Sequence, residues 1–238
     1  MSFILCIETG TSTCSVALGQ NGRVIDVEES HDPENNHAKN TTLFIDNILK
    51  RQGLRAKDLG AVCVGKGPGS YTGLRIGVSV AKGICYGSGI PLLAVGSLQA
   101  MAQGVVEMIE DGKQQSIPSM LCPMIDARRM EVYSQLFSVK AEVLTGVEAK
   151  VLDVNSFSDY LLENKILFFG NGSEKAKDVI TSPNALFLDG FNPSARFMIH
   201  LAEKLYNQNK FEDVAYFEPF YLKNFVATVA KNKVLGQK

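Results

Sequence analysis

The densest run of chemically permissive backbone is GKGPGSYTGLR, Gly65 to Arg75. Glycine amides with no Cβ beside them can close around a phosphate, and a helix starting there adds free N–H groups and a favourable dipole. The spacing is not that of a P-loop, which needs Lys and then Ser or Thr directly after its last glycine. Here Gly73 is followed by Leu74 and Arg75. It is not the dinucleotide fingerprint either, since Gly67, Gly69 and Gly73 have one residue too many and follow the fourth predicted strand. Gly67, Gly69, Ser70, Thr72 and Gly73 therefore read as a structural turn feeding a helix, with Ser70 or Thr72 as its N-cap; a phosphate cradle is the competing reading. A second turn, Glu8-Thr9-Gly10-Thr11-Ser12, gathers hydroxyls and amides that could meet nucleotide phosphates or could simply close a hairpin. A third, Asp126-Ala127-Arg128-Arg129-Met130-Glu131, is a charged cluster that reads as a salt-bridged hairpin turn, with substrate binding as its alternative.

The sequence offers little else that could do chemistry. The three histidines are His31, His37 and His200, and a metal pair on a helix starting at His37 would need a second histidine where Thr41 stands. There is no H-E-x-x-H, no G-x-S-x-G and no obvious Ser/His/Asp set. No catalytic residue and no metal ligand set is expected.

The turns need elements to hold them. FILCI (Phe3–Ile7) is a continuous apolar run suited to a strand buried on both faces. CSVAL (Cys14–Leu18) is the second strand, and Asn21-Gly22 is a strong hairpin signal leading to a third at Arg23–Glu28. Asn36 can cap a helix from His37 to about Gln52, and Gly53 suits the left-handed position that ends it. AVCV (Ala61–Val64) is a strand, the helix behind the glycine turn runs to about Gly87, PLLAV (Pro91–Val95) is a strand, and Ser97 can cap a helix to Ile109. The resulting order, βββαβαβα, is a ribonuclease-H-like α/β layout. Polar residues 110–116 mark a boundary. Beyond it, strands are expected at Met120–Ile125, Val132–Val139 and Ile166–Phe169, and helices at Ser156–Glu163 and Ser194–Asn207.

The helix behind the glycine turn is apolar on nearly all sides, with Lys82 its only charge from Ile76 to Ser88. Such a helix must be covered all round, and its own sheet covers one side. The helix from His37, with Leu43, Phe44, Ile45, Ile48 and Leu49, is also broader in apolar surface than one core face needs. Both point to a partner, with coverage of one helix by the other inside the core as the competing reading.

Composition narrows the classes. A net charge of −1 argues against autonomous nucleic-acid binding, which draws its affinity from a basic excess. The five cysteines form no C-x-x-C and sit in apolar contexts, so reduced core thiols in a cytoplasm are expected. The start, MSFILCIETG, lacks a basic n-region. No apolar run reaches the ~18 residues of a membrane span.

Taken together, ILCIETGTSTCSVAL, HAKNTTLFIDNILK, GKGPGSYTGLRIGVSVAKGI, DARRMEVY and EPFYLKN resemble the TsaB (YeaZ) family, in that order and at similar spacing. The likeness spans most of residues 3–133 and returns near 218–224. It implies an actin-like, ASKHA-type fold with two lobes: residues 1–109, a smaller lobe at 110–217, and a segment at 218–238 packing between the lobes or onto the first. It implies a non-catalytic subunit that supports a TsaD-like catalytic subunit and works with a TsaE-like ATPase. The complex transfers a threonylcarbamoyl group, from an adenylate that TsaC makes from threonine, bicarbonate and ATP. The acceptor is the adenosine beside the anticodon in tRNAs that read codons beginning with A. Family members pair through their first two helices, here His37–Gln52 and Thr72–Gly87, as homodimers when alone. Phe44, Ile45, Ile48, Leu74, Val78, Ala81, Lys82 and Cys85 are the candidate interface. The chain itself is expected to need no cofactor, with ATP or ADP possible in the complex, tRNA met only through the complex, and no membrane. The catalytic relative binds metal through an H-x-x-x-H pair; His37 and Thr41 supply half of it. Glu8 stands where the family usually has Asp, which weakens a nucleotide role for Thr9, Gly10, Thr11 and Ser12. The rival expectations are an ATP-dependent small-molecule kinase and a glycoprotease-type metallopeptidase.

Overall fold

The computed structural model describes residues 2–31, 36–112 and 118–222. The first three strands, β1 (Phe3–Glu8), β2 (Cys14–Gln20) and β3 (Arg23–Ser30), form an antiparallel meander. Asn21 and Gly22 both take left-handed backbone angles, φ 54° and 71°, the geometry that matches the twist of the flanking strands. The helix α1 (His37–Arg51) is capped by the Asn36 side chain, which accepts from the Lys39 amide, and Gly53 follows its end at φ 66°. Then come β4 (Leu59–Gly65), α2 (Tyr71–Ser88), β5 (Leu92–Val95) and α3 (Ser97–Glu110). The sheet order is β3-β2-β1-β4-β5, with β4 parallel to both β1 and β5. This is the expected βββαβαβα order.

Alternation along β1 explains its unbroken apolar sequence. Leu5 and Ile7 face α1 and α2, while Ile4 and Cys6 face the opposite layer. That second layer is α3 together with a 3-10 turn at Ala195–Met198 and the helix α6 (Ile199–Asn207), which crosses back from the far end of the chain. Ile199 packs so closely on β2 that a side chain at Gly19 would collide with it. The expected helix over 194–207 is thus split, with Ser194 capping the 3-10 part.

The second sheet holds β6 (Met120–Asp126), β7 (Glu131–Ser134), β8 (Phe137–Ser138), β9 (Glu148–Val151), β10 (Ile166–Phe169) and β11 (Ala185–Leu188). Their order is β11-β10-β6-β7-β9, with β8 on β6. The strand expected over 132–139 breaks after Ser134: β7 pairs with the end of β6 and β8 with its start. Two helices of one turn, α4 (Ser158–Leu161) and α5 (Glu174–Lys177), complete it, so the expected helix over 156–163 is shorter. All five cysteines are free and buried.

Residues 211–222 return to the first sheet as a strap. The Glu212 amide donates to Leu92 O at 2.8 Å, Val214 and Phe217 join the core under α1 and α2, and Lys82 Nζ donates to Ala215 O at 2.9 Å and Phe217 O at 3.2 Å. The Phe220 amide donates to Lys66 O at 2.8 Å. The basic tail, with Lys231, Lys233 and Lys238, lies outside the described residues, as do residues 113–116 of the expected boundary.

The candidate interface set needs correction. Ile45, Ile48, Leu74, Val78, Ala81 and Cys85 are buried within this chain, at 0% exposure for Ile48 and 5% for Val78. Their spacing puts them on the arcs of α1 and α2 that face the sheet. Phe44 and Lys82 are half-buried, and Lys82 holds the strap. The outward arcs carry Leu43, at 44% exposure, and Tyr86, at 87%. Truncating Ile48 to Ala should therefore cost ~3 kcal/mol. Urea unfolding at two protein concentrations checks this: a core role predicts the same loss at both.

Candidate functional site

The site begins where two turns meet. The 8–12 turn joins β1 to β2, and the glycine turn joins β4 to α2; β1 and β4 are adjacent and parallel, so the turns emerge side by side. They touch backbone to backbone. The Ser70 amide donates to Gly10 O at 2.7 Å, and Thr9 Oγ1 donates to Gly73 O at 2.8 Å. A Cβ at Gly69 would collide with the Gly10 carbonyl, one at Gly73 with the Thr9 carbonyl, and one at Gly77 with the Thr9 hydroxyl. Ser70, not Thr72, is the N-cap of α2: its Oγ accepts from the Gly73 amide at 3.3 Å, while Thr72 is exposed. Gly67, at φ 97° and before a cis proline, seats the turn against Leu74 and the Phe220 carbonyl.

Glu8 lies beneath this contact at 1% exposure. Its Oε1 accepts from the Gly10 amide at 2.7 Å and its Oε2 from Ser97 Oγ at 2.8 Å. Ser97 was expected to cap α3; the N-cap position is Gly96, and the Ser97 hydroxyl turns inward to Glu8 instead. Burial pushes the Glu8 carboxyl above its ordinary value, and the two hydrogen bonds only partly oppose that. The carboxylate is an internal strut with both oxygens engaged.

The candidate nucleotide residues are mostly spent on this architecture. Thr9 is buried and bonded to Gly73. Gly10 gives its amide to Glu8 and its carbonyl to Ser70. The Thr11 hydroxyl accepts from the Thr13 amide at 3.2 Å, and its carbonyl accepts from His37 Nε2 at 2.8 Å. Ser12 is exposed. Thr41, one turn beyond His37, is fully buried and donates to His37 O at 2.6 Å. Among the described residues no group of three or more His, Cys, Asp or Glu could hold a metal ion.

A cleft of about 670 Å³ opens between the two sheets. One wall is the pair of docked turns, Gly10–Ser12 and Gly69–Thr72; the other is Ile125–Arg128 with Asn171; Phe220 and Tyr221 stand at its side. Tyr71 and Tyr221 pack with ring centroids 4.9 Å apart, and the Arg75 guanidinium sits 5.4 Å from the Tyr71 ring centre. The 126–131 turn is salt-bridged, but not among its own charges. Asp126 pairs with Lys175, whose ammonium also donates to Arg129 O at 2.7 Å and Glu131 O at 2.6 Å. Asp126 Oδ1 further accepts from the Arg128 amide at 2.9 Å, and Asn171 Oδ1 accepts from the Asp126 amide at 3.0 Å. Lys175 was not singled out in the sequence, where nothing local links it to a partner 49 residues away.

Gly73→Ala should cost ~3 kcal/mol in urea unfolding, because the obstructing atom is a fixed carbonyl. Gly83→Ala, also in α2 but with open space around it, should gain about 0.5–1 kcal/mol. Glu8 should make stability pH-dependent. Its folded pKa is raised, so the native state holds a proton that the unfolded chain releases above the ordinary value of 4.5. The contribution is full below 4.5 and lost as pH rises through the folded value. Measured against Glu8→Gln, the wild type should lose stability as pH climbs out of the acid range and then level off. Parallel curves would show that Glu8 is not strained by burial.

Comparison with known proteins gives a matching family model, curated relatives and solved structures of the same fold. Residues 31–235 match the sequence model of the family described as "TsaD: tRNA N6-adenosine threonylcarbamoyltransferase". The chain is similar to the tRNA threonylcarbamoyladenosine biosynthesis protein TsaB of Escherichia coli, at 31% identity over 94% of this chain and 96% of that one. It is likewise similar to the TsaB of Haemophilus influenzae, at 30% identity over 94% of each. Among solved structures, YeaZ from Pseudomonas aeruginosa shares the fold with a TM-score of 0.76, covering 93% of this chain and all of that one at 23% identity. The actin-like, two-sheet fold, the order of the motifs and the near-complete overlap with these relatives agree: the chain belongs to the TsaB (YeaZ) family of tRNA threonylcarbamoyladenosine biosynthesis proteins.

Proposed function

We propose that this chain is a non-catalytic scaffold subunit of the threonylcarbamoyl-transferring assembly, and that it supports a TsaD-like catalytic subunit through the outward face of α1 and α2. Alone, it closes the same face by two-fold pairing with a second copy. A TsaE-like ATPase joins the complex, and ATP or ADP belongs to the assembly rather than to a cofactor site of this chain.

The observation that carries the reading is the outer arc of α2. Gly83 and Gly87 have nothing within reach of a Cβ, Ile76, Val80 and Ile84 are only half-buried, and Tyr86 is exposed. A glycine inside a helix costs about 0.5–1 kcal/mol against alanine. The isolated chain receives no packing in return at these two positions, whereas a second helix could approach there closely. The non-catalytic half is supported by Glu8, whose oxygens are both committed internally, and by His37, whose Nε2 is committed to Thr11 O.

The experiment is light scattering on size-exclusion fractions of this chain, of the TsaD-like subunit from the same organism, and of their mixture. It is repeated with Gly83→Leu, which fills open space and leaves the fold intact. The wild type should form the heterodimer, and the variant should lower its yield at least tenfold with an unchanged or higher melting temperature. If the wild type forms neither a homodimer nor a heterodimer, the scaffold reading fails.

A further inference from the structure

Arg128 and Arg129 are consecutive and both lie in the left-handed region, at φ 70° and 46°. Side chains seldom adopt that backbone, and glycine would relieve it. The fold nonetheless holds them there with several bonds: Asp126 Oδ1 takes the Arg128 amide, the Glu131 amide donates to Arg128 O at 3.1 Å, and Lys175 grips Arg129 O. All of these act on backbone. Among the described residues neither guanidinium forms an ion pair, and both residues are exposed. A strained backbone kept in place around side chains that the fold does not use points to a use outside the fold.

Arg128 lines the cleft, and so do Tyr71 and Tyr221. Phe220 and Tyr221 are 44% and 36% exposed, so their rings offer apolar surface to an incoming group. Ser12 and Thr72 present exposed hydroxyls on the opposite wall. Asp126, which lines the cleft, is paired with Lys175, Glu8 is buried beneath Gly10, and among the described residues no group of three or more His, Cys, Asp or Glu could hold a metal ion. The site therefore suits a phosphate bound directly by arginine beside a base stacked on tyrosine. That is the chemistry of single-stranded RNA recognition, not of a magnesium-bound triphosphate. The volume, about 670 Å³, is of the size that small-molecule sites occupy.

We infer that the cleft between the two sheets is a direct contact site for one unpaired nucleotide of an RNA, with Arg128 on its phosphate, Arg129 adding positive charge from the same turn, and the Tyr71/Tyr221 pair as its stacking surface. The inference rests on the reading of this chain as a subunit of a tRNA-modifying assembly for its choice of RNA over a free nucleotide. It adds a role that a pure scaffold does not have.

The test is fluorescence anisotropy of a labelled RNA hairpin with a single-stranded loop, titrated with the full chain at several salt concentrations. The double variant Arg128→Gly, Arg129→Gly is compared, with Tyr221→Ala as a second probe. Glycine fits the left-handed backbone, so the double variant should melt at the same temperature or higher. Its RNA affinity should fall about tenfold or more, with a salt slope shallower by about one to two. Tyr221→Ala should weaken binding to the loop hairpin and leave duplex RNA unaffected. Unchanged affinity in the double variant, equal binding of loop and duplex RNA, or displacement of the hairpin by ADP would each overturn the inference, the last in favour of a free-nucleotide site. Heterodimer formation by the double variant, read by light scattering, keeps the two readings apart: an intact heterodimer without RNA binding removes this inference alone.

Discussion

Two glycine-bearing turns in backbone contact set the geometry of this molecule. Where Gly69 and Gly73 press on the carbonyls of Gly10 and Thr9, no side chain fits. That contact fixes the start of α2, and with it the angle at which the helix leaves the sheet. Glu8 extends the constraint to a third element, reaching from under the Gly10 amide to the Ser97 hydroxyl at the start of α3. The strap extends it to a fourth through the Phe220 amide and Lys66 O. Four segments distant in sequence are thus locked at the C-terminal ends of two adjacent parallel strands, the position where open α/β sheets usually place their ligands.

The same contact explains why the turn does not look like a phosphate cradle. A cradle needs amides turned outward and free. Here the Gly10, Ser70 and Gly73 amides are already satisfied by Glu8, Gly10 O and Ser70 Oγ. The polar groups of the two turns are spent on holding the turns together. The open surface lies beside the turns, on the outer arc of α2 and in the cleft that the turns wall.

Much of the first sheet was legible because its signals are local. An apolar run with no polar interruption, an Asn-Gly pair, a cap and a terminal glycine each act within a few residues. What the sequence concealed is long-range. The composition of α2 shows that it is apolar all round, but not which arc the sheet takes, so Val78 and Ile48 read as contact residues when they are core. Glu8 reads as a departure from the family's usual Asp and proves to be a strut, which the sequence conceals because its partner Ser97 is 89 residues away. Ser97 itself carries the residue type of a cap and serves a different end. The second sheet was least legible: its strands are two to seven residues long, and β7 and β8 trade partners on β6 within a few positions.

The strap carries a mechanical consequence. One lysine, Lys82, joins the carbonyls of Ala215 and Phe217 to the flank of α2, and five residues beyond Ala215 the same ribbon meets Lys66 and passes Tyr221 into the wall of the cleft. The helical face and the cleft are therefore two ends of one tether. A neighbour that drew Lys82 away from the ribbon would slacken the cleft wall, and an occupant that pressed Tyr221 against Tyr71 would tighten the ribbon on α2. The same few strap residues thus serve both the flank of α2 and the rim of the cleft.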